Sequence, residues 1–519
     1  MELSNSLFSL PGTEMSAGIT LSILLLVALL CVALEKVPTN WVFNHIAKRF
    51  RAWEYCWRGP AIIQEGFDQA KGMPYEVPTP ETRYVFVSSL KHIEELDQAP
   101  DSTLSLQAAA KHMLQPKYTM HGFSWFDMRG TEGVGFERAL RTLLTNYMPT
   151  TLPDLGRIVR VRFEELRQQN SIAKGSQQIR MFSLMKELIA VSNAYVLFGN
   201  EVCNDREFTA AASSYMDETL GVAEILRLIP SFAVPFVGKL TSAQFQSGKT
   251  MYQKLLSVVE VRCAERDMKA IGREIPNYSD CIQWIMDTAP KQTPWTPQRI
   301  VWELMAIWFG ACYSLTVTST FTVQDLGRHP EYVKYLRAEL QDQYSSFELT
   351  GKGLPLLDSF IKESARRHPI ESMSTRRRAM RPFQFSDGTK LEVGDWACTP
   401  VHAINHDPTH YPDPSRFNGF RFVSPEVLER ATIKIDAAAS QPEPSAITEV
   451  SDKWQFWGTG RMACPGRYYA TMALKVIIGQ IITHYDISAP EPNAKSVLTW
   501  RSTFLPRNSF PVVLTPISA

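Results

Sequence analysis

The run RYYATMALKVIIGQIITHY (467–485) is apolar almost all round. A helix without a polar face must be enclosed on every side, so this stretch demands a large body of other elements around it. With 519 residues the chain can supply that body. Length alone suggests about three domains, but no interior linker divides the sequence and it contains no internal repeat. From about 136 to 345 helical periods dominate, at 154–169, 178–198, 207–227, 243–268, 298–327 and 330–344. Strand material is sparse: RYVFVSS (83–89), which leads into a helical LKHIEELDQ, and the turn-and-strand stretch SDGTKLEVGDW (386–396). DAAASQPEPSA (436–446) reads as a surface loop. The pattern predicts a mainly α fold with small β-sheets in one large domain.

Charge narrows the function. Lys and Arg total 54 against 53 for Asp and Glu, a net charge of +1 with no charge runs, which argues against a nucleic-acid partner. No phosphate loop of the G-x-x-x-x-G-K type is present. The eight cysteines include no C-x-x-C pair, so zinc ribbons, thioredoxin-like chemistry and covalent haem attachment lack their spacing. Dispersed cysteines suggest a reducing compartment.

AGITLSILLLVALLCVAL (17–34) carries no charge over 18 residues. As a helix it would span roughly 27 Å, close to the hydrocarbon thickness of a bilayer. Residues 1–16 contain no Lys or Arg, which disfavours a cleavable signal peptide, whereas Lys36, Lys48, Arg49, Arg51 and Arg58 follow the span. The expected layout is a lumenal N-terminus (1–16), a transmembrane anchor (17–34), a connector (35–60) and a cytosolic domain (61–519). Trp41, Trp53 and Trp57 in the connector suit either an aromatic collar at the bilayer or core packing. The sequon at Asn277 would stay bare on the cytosolic side.

Just before the apolar helix stands WGTGRMACPGRYYA (457–470). Gly458 and Gly460 permit backbone angles and approaches that a Cβ forbids. Pro465 fixes its own φ, and Gly466 lets the chain pass close to a flat partner. Cys464 therefore precedes a helix N-terminus, where free amides and the dipole favour a thiolate. A buried thiolate without a second protein ligand suits one axial bond to a haem iron. The same residues also suit a small buried cysteine in a turn. A nucleophilic role would need a base, and no His lies in the loop.

The stretch W-G-T-G-R-M-A-C-P-G-R closely resembles the cysteine loop of the cytochrome P450 family, aromatic-G-x-G-x-x-x-C-x-G. Trp457 and the continuation ACPGRYYA are most similar to fungal secondary-metabolism members. Two more motifs stand upstream in the family's order. LLDSFIKESARRHP (356–369) holds Glu363 and Arg366 as an E-x-x-R pair, and YPDPSRFNGFRF (411–422) resembles the meander that brings Arg421 to them. The resemblance implies a single P450-type domain with an N-terminal transmembrane helix, haem b as cofactor and Cys464 as its proximal ligand. Glu363, Arg366 and Arg421 would then form a structural cluster, since buried charges persist only when paired. Arg376 matches the family's β-strand arginine toward a haem propionate. Arg141 matches a helix position at the haem edge, with Arg138 as rival. Two residues before the cysteine, where relatives carry His or Arg, this chain has Met462, with Arg461 one step earlier.

The family's distal-helix pattern (A/G)-G-x-(D/E)-T-T aligns with Gly310-Ala311-Cys312-Tyr313-Ser314-Leu315. Small residues at 310 and 311 leave room above the iron, Tyr313 replaces the acid, and Ser314 stands as the catalytic alcohol. Thr316 and Thr318 fall out of register and are expected to bond back to their own helix. Segments 118–128, 215–240, 305–314, 372–375 and 503–506 should line a pocket for a lipophilic substrate.

The resemblance thus implies a monooxygenase of the endoplasmic-reticulum membrane, fed electrons from NADPH by cytochrome P450 reductase. Its substrate would be a terpenoid, meroterpenoid or polyketide intermediate. Alternatives are a haem-thiolate rearrangement or coupling without net hydroxylation, and a low-turnover haem-binding protein.

Overall fold

The computed structural model describes residues 39–128, 137, 139–173, 176–289, 294–433 and 443–517. The expected anchor at 17–34, Arg138 and most of the 436–446 loop lie outside these residues. The chain divides into two units, residues 1–54 and 55–519. In the first, the described part is the helical segment 39–54, which belongs to the helix Thr39–Ala70. That helix carries Pro60 inside it and runs through the expected boundary at residue 60. Trp53 and Trp57 are 40% and 45% exposed, so neither is a core residue.

Unit 55–519 is mainly helical. Its centre is the 32-residue helix Pro297–Arg328, started by Thr296, whose side chain caps Arg299 N–H, with Pro297 at the first turn. The all-apolar stretch forms the helix Arg467–His484, with twelve of its residues buried. Around these two pack Met181–Phe198 and Thr145–Gln169, and the core they share is one contiguous hydrophobic cluster. Met181–Phe198 and Pro297–Arg328 are long and apolar enough to cross a membrane, but both are 67% buried inside the protein and are core helices.

Among the described residues four small sheets complete the unit. The five-stranded one runs Tyr75–Pro78, Arg83–Phe86, Trp396–Thr399, Ser374–Ala379, Leu104–Ser105, with one parallel pair between Arg83–Phe86 and Trp396–Thr399. Val512–Pro516 pairs with Tyr485–Ser488 and Gln178–Ile179, and Val497–Trp500 makes a hairpin with Thr503–Pro506.

Four helices differ from the sequence reading, among them the one expected at 330–344, which opens with a 3-10 turn at Pro330–Tyr332 and continues as Val333–Thr350. The helix expected at 154 begins at Thr145 and takes in Pro149 and Pro153, because Leu152, Leu155 and Val159 bury fully along one side and outweigh the interrupted backbone bonds. Residues 178–179 are a strand, since pairing with Val512–Val513 satisfies their backbone before the helix starts at Met181. The helix expected at 243 begins at Gln246, after Phe245 turns out of the helical region (ψ 77°).

Candidate active site

The loop before the apolar helix is fixed by its glycines and tryptophans. Gly458 and Gly460 adopt φ of +82° and +55°, left-handed values that a side chain would resist. A Cβ on Gly460 would also lie 2.6 Å from the Asp97 carboxylate. Trp454 and Trp457 both donate to the Ile447 carbonyl, at 2.9 and 2.6 Å, which pins the loop to the core. Cys464 N–H then donates to the Trp457 carbonyl at 2.8 Å and closes the turn.

Cys464 is distinct among the described cysteines: six are buried, and Cys464 alone is only partly buried. It is at the same time packed against the main core. Burial pushes its thiol up, whereas the backbone amides of Gly466 and Arg467 and the charges of Arg467 and Arg141 pull toward the thiolate. Next to it, a Cβ built on Gly466 would meet no atom within 4 Å.

A second open turn lies midway along the central helix. Gly310 is exposed and Ala311, Tyr313 and Ser314 are partly exposed, although residues 315–327 are buried throughout. A Cβ on Gly310 also meets nothing within 4 Å. The two helices are tied together by Asn193, whose amide donates to Cys312 Sγ at 3.1 Å and accepts from the Tyr469 hydroxyl. Two glycines beside open space, a partly buried thiol and nearby guanidinium charge fit a flat, anionic, thiolate-ligated group such as haem.

The polar residues of the distal turn differ in their bonding. Thr316 bonds back to the Cys312 carbonyl at 2.8 Å, while the Thr320 and Thr322 hydroxyls go to Thr316 and Thr318 carbonyls at 2.7 and 2.8 Å. Ser314 makes no such bond among the described residues and is partly exposed. Tyr313 stacks on Phe309 at 6.2 Å, and burial, then the Glu371 charge, holds its phenol protonated.

Arg141 lies in a π-helical turn, Ala139–Leu144, paired with Glu137 at 3.0 Å and 41% exposed. Arg376 pairs with Glu371 at 2.7 Å and donates to Met113 Sδ at 2.8 Å. Met462 is buried, and Arg461 points outward to the Ala99 carbonyl and Asp101. Glu363, Arg366 and Arg421 come together with no side-chain exposure at all. Glu363 also accepts from Asn418 N–H at 3.0 Å, and the two guanidinium groups cap the Asn405, Pro412, Pro414 and Arg416 carbonyls.

Of the segments expected to line a pocket, 305–314 carries the open turn. Ser372, Met373 and Thr375 are buried. The reading of 215–240 needs correction at its end: Phe232 and Phe236 are 84% and 76% exposed and cannot line an interior cavity. Glu371, Glu137 and Asn193 did not emerge from the sequence. Each acts through a side-chain contact between or beside motifs, with no periodicity to mark it.

A partly buried thiol at a helix mouth and an opened turn on the central helix fit the site of a haem-thiolate protein, and the chain belongs to the cytochrome P450 family: residues 137–512 match the Cytochrome P450 family model. Its enzyme class is haem-thiolate monooxygenase. Among curated relatives, Cytochrome P450 monooxygenase 151 of Postia placenta is 27% identical over 85% of this chain and 86% of its own. Pyrichalasin C-7 hydroxylase of Pyricularia grisea is 26% identical over 90% of both chains. Cytochrome P450 monooxygenase ptmQ of Penicillium ochrochloron is 25% identical over 89% of this chain and 88% of its own. The retinoic-acid-bound cyanobacterial CYP120A1 structure shares the fold at a TM-score of 0.61 and 16% identity, covering 88% of this chain and 94% of that one. The protein is thus a P450 monooxygenase related to fungal secondary-metabolite oxidases.

Proposed function

We propose that the protein oxidises a lipophilic secondary-metabolite intermediate, of terpenoid, meroterpenoid or polyketide type, while anchored to the endoplasmic-reticulum membrane by residues 17–34. In this reading residues 1–16 are lumenal, 35–60 connect and 61–519 form the cytosolic catalytic domain, supplied by NADPH–cytochrome P450 reductase. The apolar span followed by basic residues supports the topology. Relatives named as fungal monooxygenases and as a C-7 hydroxylase support the substrate class.

The observation that carries the site is Cys464, the one cysteine among the described residues that is only partly buried, at the mouth of a buried helix. Cys464 would hold the haem iron, and haem bound there would supply oxygen activation, which thiolate donation favours. Gly458 shapes the loop and Gly466 leaves room for the ring edge. Arg376 and Arg141 neutralise the propionates. Glu363, Arg366 and Arg421 brace the core behind the loop and take no part in the chemistry. Ser314, freed from its own helix, holds and passes a proton at its Oγ, while Gly310 and Ala311 keep the space beside it clear. Expression with a reductase and measurement of oxygen and NADPH consumption against product tests this reading. Product without NADPH consumption would replace it with a rearrangement.

A further inference from the structure

Arg376 is held from two directions. Its strand, Ser374–Ala379, slips register against Trp396–Thr399 between Ser374 and Arg377, and Thr375 there has φ +49°. Such a bulge re-aims the side chains beside it. Glu371 then takes Arg376 NH2 on its Oε1 at 2.7 Å. Glu371 is itself fixed: Ser502 Oγ donates to its Oε2 at 2.9 Å, and its backbone bridges Thr503. Ser372 N–H adds a bond to the Ser502 carbonyl at 2.6 Å. Among the described residues the remaining partner of the guanidinium is the Met113 thioether, a weak acceptor, so Arg376 keeps donors that these two contacts do not use.

We propose that Glu371 is a positioning residue for the prosthetic group, acting through Arg376: it freezes the guanidinium so that its remaining N–H groups meet a haem propionate. This rests on the reading above that the chain binds haem through Cys464 with Arg376 at a propionate. A free arginine loses considerable rotamer freedom when it binds a carboxylate, and Glu371 removes that freedom in advance. One arginine is then shared by an internal carboxylate and a carboxylate of the ligand.

The test is the rate of haem transfer from the full-length holoprotein to excess apomyoglobin. Glu371→Ala should speed transfer about tenfold, the scale of one charge-assisted hydrogen bond. Arg376→Met should do the same, and the double variant should be no faster than Arg376→Met alone. Glu371→Gln, which keeps an acceptor, should stay within about threefold of the parent. Should Glu371→Ala fail to fold, Ser502→Ala serves instead. It should speed transfer about twofold in the parent and have no effect in the Arg376→Met background. Additive effects, or an unchanged rate in Glu371→Ala, would overturn the proposal. A parent that binds no haem, or binds it without a thiolate spectrum, would instead overturn the reading beneath it.

Discussion

Arg366 grips Glu363 with two parallel bonds, Nε to Oε2 at 2.8 Å and NH2 to Oε1 at 2.9 Å, and neither side chain has any exposure. Arg421 adds a third bond at 3.0 Å to the same carboxylate. Removing one member leaves an uncompensated buried charge, at a cost of about 3–5 kcal/mol. Glu363→Ala and Arg366→Ala should each yield little haem-loaded protein. Haem absorbance per protein in purified fractions checks this, and full loading of both variants would show the cluster to be dispensable.

Cys464→Ser should keep the loop, because its glycines and tryptophans set the backbone independently of the sulfur. It should lose the red-shifted Soret band of the reduced carbon monoxide complex, which needs a thiolate. Retention of that band would assign the ligand elsewhere.

Ser314 and Thr316 make a controlled pair, one hydroxyl with no bond to its own helix among the described residues and the other bonded to the Cys312 carbonyl. Ser314→Ala should preserve folding and spectrum but lower product formed per NADPH and raise hydrogen peroxide, while Ser314→Thr should couple at least as well as the parent. Thr316→Val should leave coupling unchanged. Equal coupling in Ser314→Ala would move proton delivery to substrate or water and favour chemistry without net hydroxylation.

Burial lowers His402 to about 3 and His406 to about 4, with their rings 4.3 Å apart. The unfolded chain binds protons near the ordinary value of about 6.5, so between there and about 4 it binds more of them than the folded state. Stability should therefore be complete above about pH 6.5 and fall as the pH drops toward 4. His402→Gln should flatten that slope in thermal unfolding measured across the range; an unaltered slope would place the loss in other groups.

Deletion of residues 1–36 should release much of the protein from microsomal membranes with its spectrum intact. Loss of haem on truncation would show that the segment belongs to the catalytic core.

Legibility in the sequence followed locality. The cysteine loop is one contiguous stretch, so its turn, its helix mouth and its thiol could be read directly. Glu363 and Arg366 share one helix face, and Arg421 stands in a recognisable turn-rich motif. By contrast, Glu371 meets Arg376 only because a bulge re-aims the strand and a distant hairpin supplies Ser502. Asn193 joins Cys312 to Tyr469 across three helices, a relation that no spacing encodes. The early start at Thr145 was hidden by Pro149 and Pro153, whose penalty is offset by tertiary burial that a local reading cannot weigh.

Gly310 and Gly466 both look onto empty space, and neither has the positive φ that would make glycine obligatory. To the polypeptide alone an alanine at either position is harmless, and at Gly310, inside a helix, it is favourable by roughly 0.5–1 kcal/mol. A screen that scored only folding would therefore accept such changes, even enrich them, and in the site proposed above would steadily erase the cofactor's room. At these two positions the demands of the fold and those of the chemistry come apart, so thermostability is the wrong measure by which to engineer this protein.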